Sequence, residues 1–117
     1  MPSREAGFAA EQRALEHLTR HGLKLIETNY RSRFGEIDLI LRDGDVLVFT
    51  EVRMRSSNDF GGARASITVA KQAKLIKTAY HYLTRFTRPP ACRFDAVLLG
   101  AVHDDKIEWI KNAFSTD

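Results

Sequence analysis

The feature that most constrains this chain is a pair of strand-like runs, Gly35 to Leu41 and Val46 to Met54, separated only by Arg42-Asp43-Gly44-Asp45. Asp-Gly and Gly-Asp both mark tight turns, so the two runs predict an antiparallel hairpin. Side chains alternate along a strand, and a tight turn of even length therefore determines which of them share a face. Whether the turn centres on Asp43-Gly44 or on Gly44-Asp45, Glu36, Asp38 and Ile40 fall on the face of Leu47, Phe49, Glu51 and Arg53. The other face carries Ile37, Leu39, Leu41, Val46, Val48, Thr50, Val52 and Met54, is almost wholly apolar, and must lie under a helix.

The mixed face is apolar near the turn and charged at its open end. Asp38 and Glu51 are expected there either directly opposed, about 5 Å apart at Cα, or as diagonal neighbours roughly 7 Å apart. Like charges facing one another on a half-buried sheet destabilise it unless a proton or a cation lies between them. Mg²⁺ takes carboxylate oxygens and keeps waters for chemistry, so this pairing asks for a metal. The bland alternative is an ion network of Glu36, Asp38, Glu51 and Arg53 with neither ligand nor turnover.

Upstream, Arg4 to Arg20 fits an amphipathic helix with Phe8, Leu15 and Leu18 on one stripe and Gly22 placed to stop it. Glu11 joins that stripe, and a carboxylate on a buried face needs an explanation. A helix lying over the open end of the hairpin would aim Glu11 at Asp38 and Glu51, as a third ligand or a ligand to bound water. A short strand is expected at Lys24 to Tyr30. Ser66 to Arg85 reads as a second helix on a stripe of Val69, Ala73, Ile76, Tyr80 and Leu83, and two further strands follow at Arg93 to Ala101 and Ile107 to Ala113, with a turn at 103–105. The order is α, β-hairpin, α, β, β.

With 117 residues, 44% of them hydrophobic, the chain suits a single domain, residues 1–117, around one core. No apolar run is long enough to span a membrane and the start is charged, which excludes a membrane partner and predicts a cytoplasmic protein. A lone cysteine, Cys92, excludes an internal disulfide or thiolate metal site and is expected to be a packing residue. The net charge of +3 permits nucleic-acid binding without demanding it. Arg31, Arg33, Arg53, Arg55 and Arg64 cluster in the first half, while Lys71, Lys74 and Lys77 recur at helical spacing, either as a binding face or as an ordinary solvated one. His17 and His21 have zinc-compatible spacing but no evident third ligand, and read as surface residues. Asp95 reads as a turn or cap residue at a strand start. Tyr80, Tyr82 and Trp109 could stack on bases, although Tyr80 reads more simply as core, and the R-S-S-N-D-F-G-G loop could be a flap or a plain connector.

G-E-I-D-L-I and, thirteen residues after Asp38, T-E-V-R-M-R resemble the bipartite acidic motif of the PD-(D/E)xK nucleases. Gly7-x-x-x-Glu11 resembles the opening of archaeal Holliday junction resolvases. Nearly the whole chain, from Gly7 through F-G-G-A, R-F-D-A-V and the terminal I-E-W-I-K-N-A-F, is similar to the YraN family of bacterial proteins. The resemblance implies an α/β, restriction-endonuclease-like mixed sheet flanked by helices. It also implies a Mg²⁺- or Mn²⁺-dependent endonuclease acting on DNA, branched DNA included, with a homodimer as one arrangement. Asp38 matches the motif's central aspartate, Glu51 its second acid and Glu11 the helix-borne glutamate, so that Glu11, Asp38, Glu51 and the Val52 carbonyl become metal ligands. Arg31, Arg33, Arg55, Arg64, Lys71 and Lys74 become contacts to DNA. The sequence departs from the motif at Arg53, where lysine is expected, and at Ile37, where proline is. Arginine can hold a phosphate and offset developing charge, but it cannot deprotonate water. That substitution leaves two readings open, a nuclease whose nucleophile is generated at the metal and a catalytically inactive nucleic-acid-binding module.

Overall fold

A computed structural model describes residues 4–54, 67–100 and 106–116, with side chains from Gly7 onward. The described elements are α1 (Arg4–Arg20), β1 (Lys24–Ser32), β2 (Gly35–Asp43), β3 (Val46–Met54), α2 (Val69–Leu83), β4 (Cys92–Leu99) and β5 (Ile107–Phe114). The strands form one sheet in the order β1-β2-β3-β4-β5. Neighbouring strands run antiparallel except β3 and β4, which are parallel. A parallel pair needs a long crossover, and α2 lies within it. The result is a restriction-endonuclease-like arrangement, a mixed sheet with a helix on each face.

Pairing of Asp43 with Val46 leaves Gly44 and Asp45 as the two loop residues, and Gly44 supplies the positive φ of 60° that the tight turn needs. The parity expected from the sequence holds around this turn. Leu39, Leu41 and Val48 pack with Ala10, Ala14 and Leu18 of α1, while Ile40, Leu47 and Phe49 pack with Leu75, Ala79 and Tyr82 of α2. Both faces of the hairpin are therefore covered. Ile37 is the exception, because it joins the α2-side core with Ile40, three residues on. Strict alternation breaks between them, at Asp38.

Both helices expose residues expected inside. Phe8 is 65% exposed, and the packed stripe of α1 is Ala10, Ala14 and Leu18, whose two alanines let the helix approach the sheet. On α2, Val69 and Tyr80 are 81% and 58% exposed, whereas Leu75, Thr78, Ala79, Tyr82 and Leu83 are buried. Two apolar stripes overlap on this helix. The one holding Tyr82 goes inward because its ring meets Phe49 and Tyr30 edge-on. The short strand expected before the hairpin is a nine-residue edge strand, β1. Cys92 is exposed at the start of β4, so it is not a packing residue. The R-S-S-N-D-F-G-G loop and the 103–105 turn lie outside the described residues. Among the described residues, no helix is long and apolar enough to cross a membrane.

Candidate functional site

The sheet opens on both sides of Asp38. Toward β3 the last pair is Leu39 with Thr50, and one more step of that register would set Asp38 against Glu51. Instead the strands part, and the Val52 N–H donates to Asp38 Oδ2 at 2.8 Å. Toward β1 the pairing skips from Thr28–Leu39 to Tyr30–Ile37, and between them Asn29 adopts a left-handed φ of 52°. Asparagine is one of the few residues other than glycine that tolerates this region. From there its amide donates to Glu11 Oε1 at 3.1 Å and Glu36 Oε1 at 2.8 Å. One bent residue thus ties a glutamate from α1 to one from β2.

Carboxylate oxygens of Glu11, Glu36 and Asp38 lie within 4.8 Å of one another. Glu51 adjoins them on β3 and is only 6% exposed. Its Oε2 accepts no hydrogen bond, and Lys71 Nζ approaches it at 3.5 Å. Glu11, Asp38 and Glu51 border a cleft of about 410 Å³ reaching from Gly7 on α1 across the parted strands to Arg53 and to Lys71 on α2. The Arg53 Nε is buried and likewise makes no hydrogen bond. At the rim, Arg31 Nε donates to Glu36 Oε2 at 3.0 Å.

The electrostatics follow from crowding of like charge. Burial, the hydrogen bond with Glu51 and the charges of Glu51 and Glu11 push the Asp38 carboxyl up to about 8, against the opposing pull of the Val52 N–H. Burial also raises Glu11, as do the charges of Glu36 and Glu51, while the Asn29 amide lowers it. Burial and the charges of neighbouring acids thus make Glu11 and Asp38 hold their protons more tightly than free carboxyls do, and positive charge at the cluster is short. A divalent cation would relieve that shortage, and an all-oxygen donor set is what Mg²⁺, Mn²⁺ or Ca²⁺ accepts. The unspent Glu51 Oε2 fits such a ligand set.

Glu11, Asp38, Glu51 and Arg53, chosen from sequence, border the same cleft. Glu11 does so from the shoulder of α1, half-buried beside Ala10 and Ala14, and not from a stripe shared with Phe8. Two participants were not assigned from sequence. Glu36 shares the parity of Asp38, which places it on the same face, but the sequence reading counts it only in the ion network and not among the ligands. Asn29 carried no signal beyond its tolerance of positive φ. Lys71, expected as a DNA contact, turns out to pair with Glu51.

The remaining basic residues spread beside the cleft. Ser32 Oγ donates to Thr78 Oγ1 at 3.3 Å, and a Cβ on Gly35 would stand 3.6 Å from Lys74 Cβ, so the β1–β2 turn lies directly on α2. Arg33 and Lys77 both stack on Phe34, at 4.9 and 5.9 Å from its ring centre. Arg31, Arg33, Lys74 and Lys77 are exposed. Arg55 and Arg64 lie outside the described residues.

Asp95 departs from its sequence reading, being neither turn nor cap. It is fully buried within β4, where Arg93, Trp109 Nε1 and the Asn112 N–H all donate to its carboxylate. Trp109 is spent on that bond and on ring contacts with His17 and His21, which removes it as a base-stacking platform. Tyr82 is core and Tyr80 is the exposed one.

The profile of the "Uncharacterised protein family UPF0102" matches residues 10–99. A UPF0102 protein of Nitrosomonas europaea is 58% identical over 108 residues, 92% of each chain. One from Nitrosospira multiformis is 52% identical over 117 residues, 100% of this chain and 98% of its own. A third, from Methylobacillus flagellatus, is 54% identical over 112 residues, 96% of this chain and 98% of its own. The matched segment holds Asn29, Glu36 and every residue bordering the cleft except Gly7, and the chain belongs to the UPF0102 family.

Proposed function

We propose that this chain is a divalent-cation-dependent endonuclease that hydrolyses DNA phosphodiester bonds. The observation that carries the reading is the convergence of Glu11, Asp38 and Glu51 on one cleft where the β2–β3 pairing ends, with Glu36 beside Glu11 and Asp38, and with Asp38 pushed up to about 8 by burial and by its acidic neighbours. Such a cluster costs stability and has no structural purpose that a neutral residue would not serve better.

In this reading Glu11, Glu36, Asp38 and Glu51 hold Mg²⁺ or Mn²⁺, which when bound offsets phosphate charge and lowers the pKa of an adjacent water. Asn29 orients Glu11 and Glu36 toward a common point by donating to both. The Val52 N–H fixes the Asp38 carboxylate in the parted strands. Arg53 faces the same cleft with a buried, unspent Nε, and its fork of donors suits two phosphate oxygens at once. It stabilises charge and moves no proton. Arg31, Arg33 and Lys74, exposed around the β1–β2 turn and α2, follow the DNA backbone. A branched duplex cut on two strands calls for two such sites, and hence for a symmetric pair of chains.

The test is cleavage of single-stranded, duplex, flap and four-way-junction DNA with Mg²⁺ or Mn²⁺, comparing wild type with D38N and E51Q. Cutting that needs the metal and disappears in both folded variants is the expected result. Cutting retained by D38N would sink the assignment. Arg53, standing where the resembling motif has lysine, favours a second reading, binding without cleavage; salt-sensitive DNA binding that needs no divalent ion, with no cutting on any substrate, would select it.

A further inference from the structure

We propose that Lys71 is a substrate-binding residue of this site, an ammonium held on Glu51 that transfers to a DNA phosphate once a divalent cation occupies the carboxylates. The inference rests on the metal reading above and adds a named contact to it.

The position of Lys71 is the first argument. Thr68 caps α2 by accepting from the Lys71 N–H at 3.1 Å, which puts Lys71 in the first helical turn. That turn carries the positive end of the helix dipole and favours acids, yet α2 has none there. A lysine in this place costs helix stability, so its presence calls for a partner. The partner is Glu51, itself 6% exposed and otherwise without a hydrogen bond at Oε2.

The contact is the second argument. At 3.5 Å the two ions attract without forming a good hydrogen bond, and the Lys71 side chain remains 40% exposed. Its stem is free to turn outward. Arg53 is the opposite kind of cation, borne on a strand with its Nε buried. The cleft therefore has one anchored cation and one on a flexible stem, delivered from different elements.

Cation binding changes the balance of charge between them. A divalent ion on Glu51 cancels the attraction that keeps Lys71 inward and repels the ammonium. The strongest new anion at the mouth of the cleft is a phosphodiester drawn in by that same ion. Lys74 and Lys77 succeed Lys71 along α2 at steps of three and are exposed, so phosphates beyond the first meet further cations on the same helix. Lys71 thereby couples DNA affinity to cation occupancy, which an ordinary surface lysine does not.

The experiment measures binding of a fluorescein-labelled duplex oligonucleotide in EDTA and in Ca²⁺, for wild type, K71M, K71R and K74M, with Mn²⁺ titrated separately into each protein by calorimetry. Wild type should gain affinity on adding Ca²⁺, and K71M should lose about tenfold of that gain. K71R should keep most of it, and K74M should weaken binding by the same factor in both conditions. A K71M variant that keeps the full gain, or that weakens equally with and without Ca²⁺, overturns the proposal. Mn²⁺ binding by wild type without any Ca²⁺-dependent gain overturns it alone. Absence of Mn²⁺ binding overturns the metal reading and this proposal together.

Discussion

Asp38 and Asp95 occupy matching places in the sheet. Each lies on an inner strand next to an edge strand bent by an asparagine at φ 52°, Asn29 beside Asp38 and Asn112 beside Asp95. In each case a backbone N–H also donates to the carboxylate, from Val52 on β3 to Asp38 and from Asn112 itself to Asp95. Their company differs. Asp95 is met by the Arg93 guanidinium, which also bridges to Asp43, and by the Trp109 indole, so its charge is neutralised inside the protein. Asp38 is met by Glu51, Glu11 and Glu36. Comparable places in the sheet thus hold a finished ion cluster at one side and an unfinished one at the other. A buried acid among donors is architecture, whereas the half-buried acid among acids is, in the proposed reading, completed by a cation.

Asp95→Ala should break the finished side with the largest effect. It strands Trp109 Nε1 and the Arg93 Nε without their acceptor, Arg93 keeping only Asp43, and loss of one partner of a buried pair costs about 3–5 kcal/mol, measurable by urea unfolding. Divalent ions should not rescue it. The next effect belongs to the unfinished side, where Mn²⁺ at a hundredfold excess over its Kd should stabilise wild type by about 2.7 kcal/mol. Asp38→Asn should abolish that response. The response of Asp95→Ala, scaled to its remaining folded fraction, should survive.

Without metal, Asp38→Asn should stabilise the protein at pH 8, by at least about 1 kcal/mol, because the amide removes a charge that the site repels. The pH dependence in EDTA sharpens this. Asp38 binds its proton more tightly folded than unfolded, so stability is greatest near the ordinary carboxylate value and falls as pH rises from there toward about 8. Thermal melts across that range should show the decline in wild type and a flatter curve in Asp38→Asn. Were Asp38 instead held by donors that lower its folded value, stability would stay flat across this range and fall only as pH dropped below the ordinary carboxylate value.

The smallest effect separates the two asparagines. Asn112→Gly keeps the backbone donor to Asp95 and relieves a left-handed residue, so stability should change by no more than about 1 kcal/mol. Asn29→Gly removes the amide that holds Glu11 and Glu36 together, and should lower the melting temperature in EDTA more than in Mn²⁺.

Much of the unfinished site was legible because a hairpin is a local object. The Asp-Gly-Asp turn and strict alternation put Asp38 and Glu51 on one face and at one end with no knowledge of the rest of the sheet. What stayed hidden depends on contacts between distant segments. The β2–β3 pairing ends just before Asp38 and Asn29 on another strand adopts a positive φ beside it, and no periodicity encodes either. Glu36 reads as part of a charged edge because its ties to Asn29 and Arg31 cross strands. Lys71 looks like a solvated lysine in sequence because only the docking of α2 brings it to Glu51. The misassigned face of α2 has a related cause: Val69, Ala73 and Tyr80 form as regular a stripe as Leu75, Ala79 and Tyr82, and tertiary packing chose between them. Asp95 is underrated by its sequence context for the same reason, since Trp109 and Asn112 reach it from a strand fourteen or more residues away.

The most direct test is calorimetric titration of Mn²⁺ into the purified wild-type chain and into Asp38→Asn at pH 8. Saturable binding by wild type, lost in a folded Asp38→Asn, is the result predicted for a carboxylate cluster completed by a cation. No binding by wild type, or equal binding by both, would contradict it and leave the four acids as an ion network without a ligand.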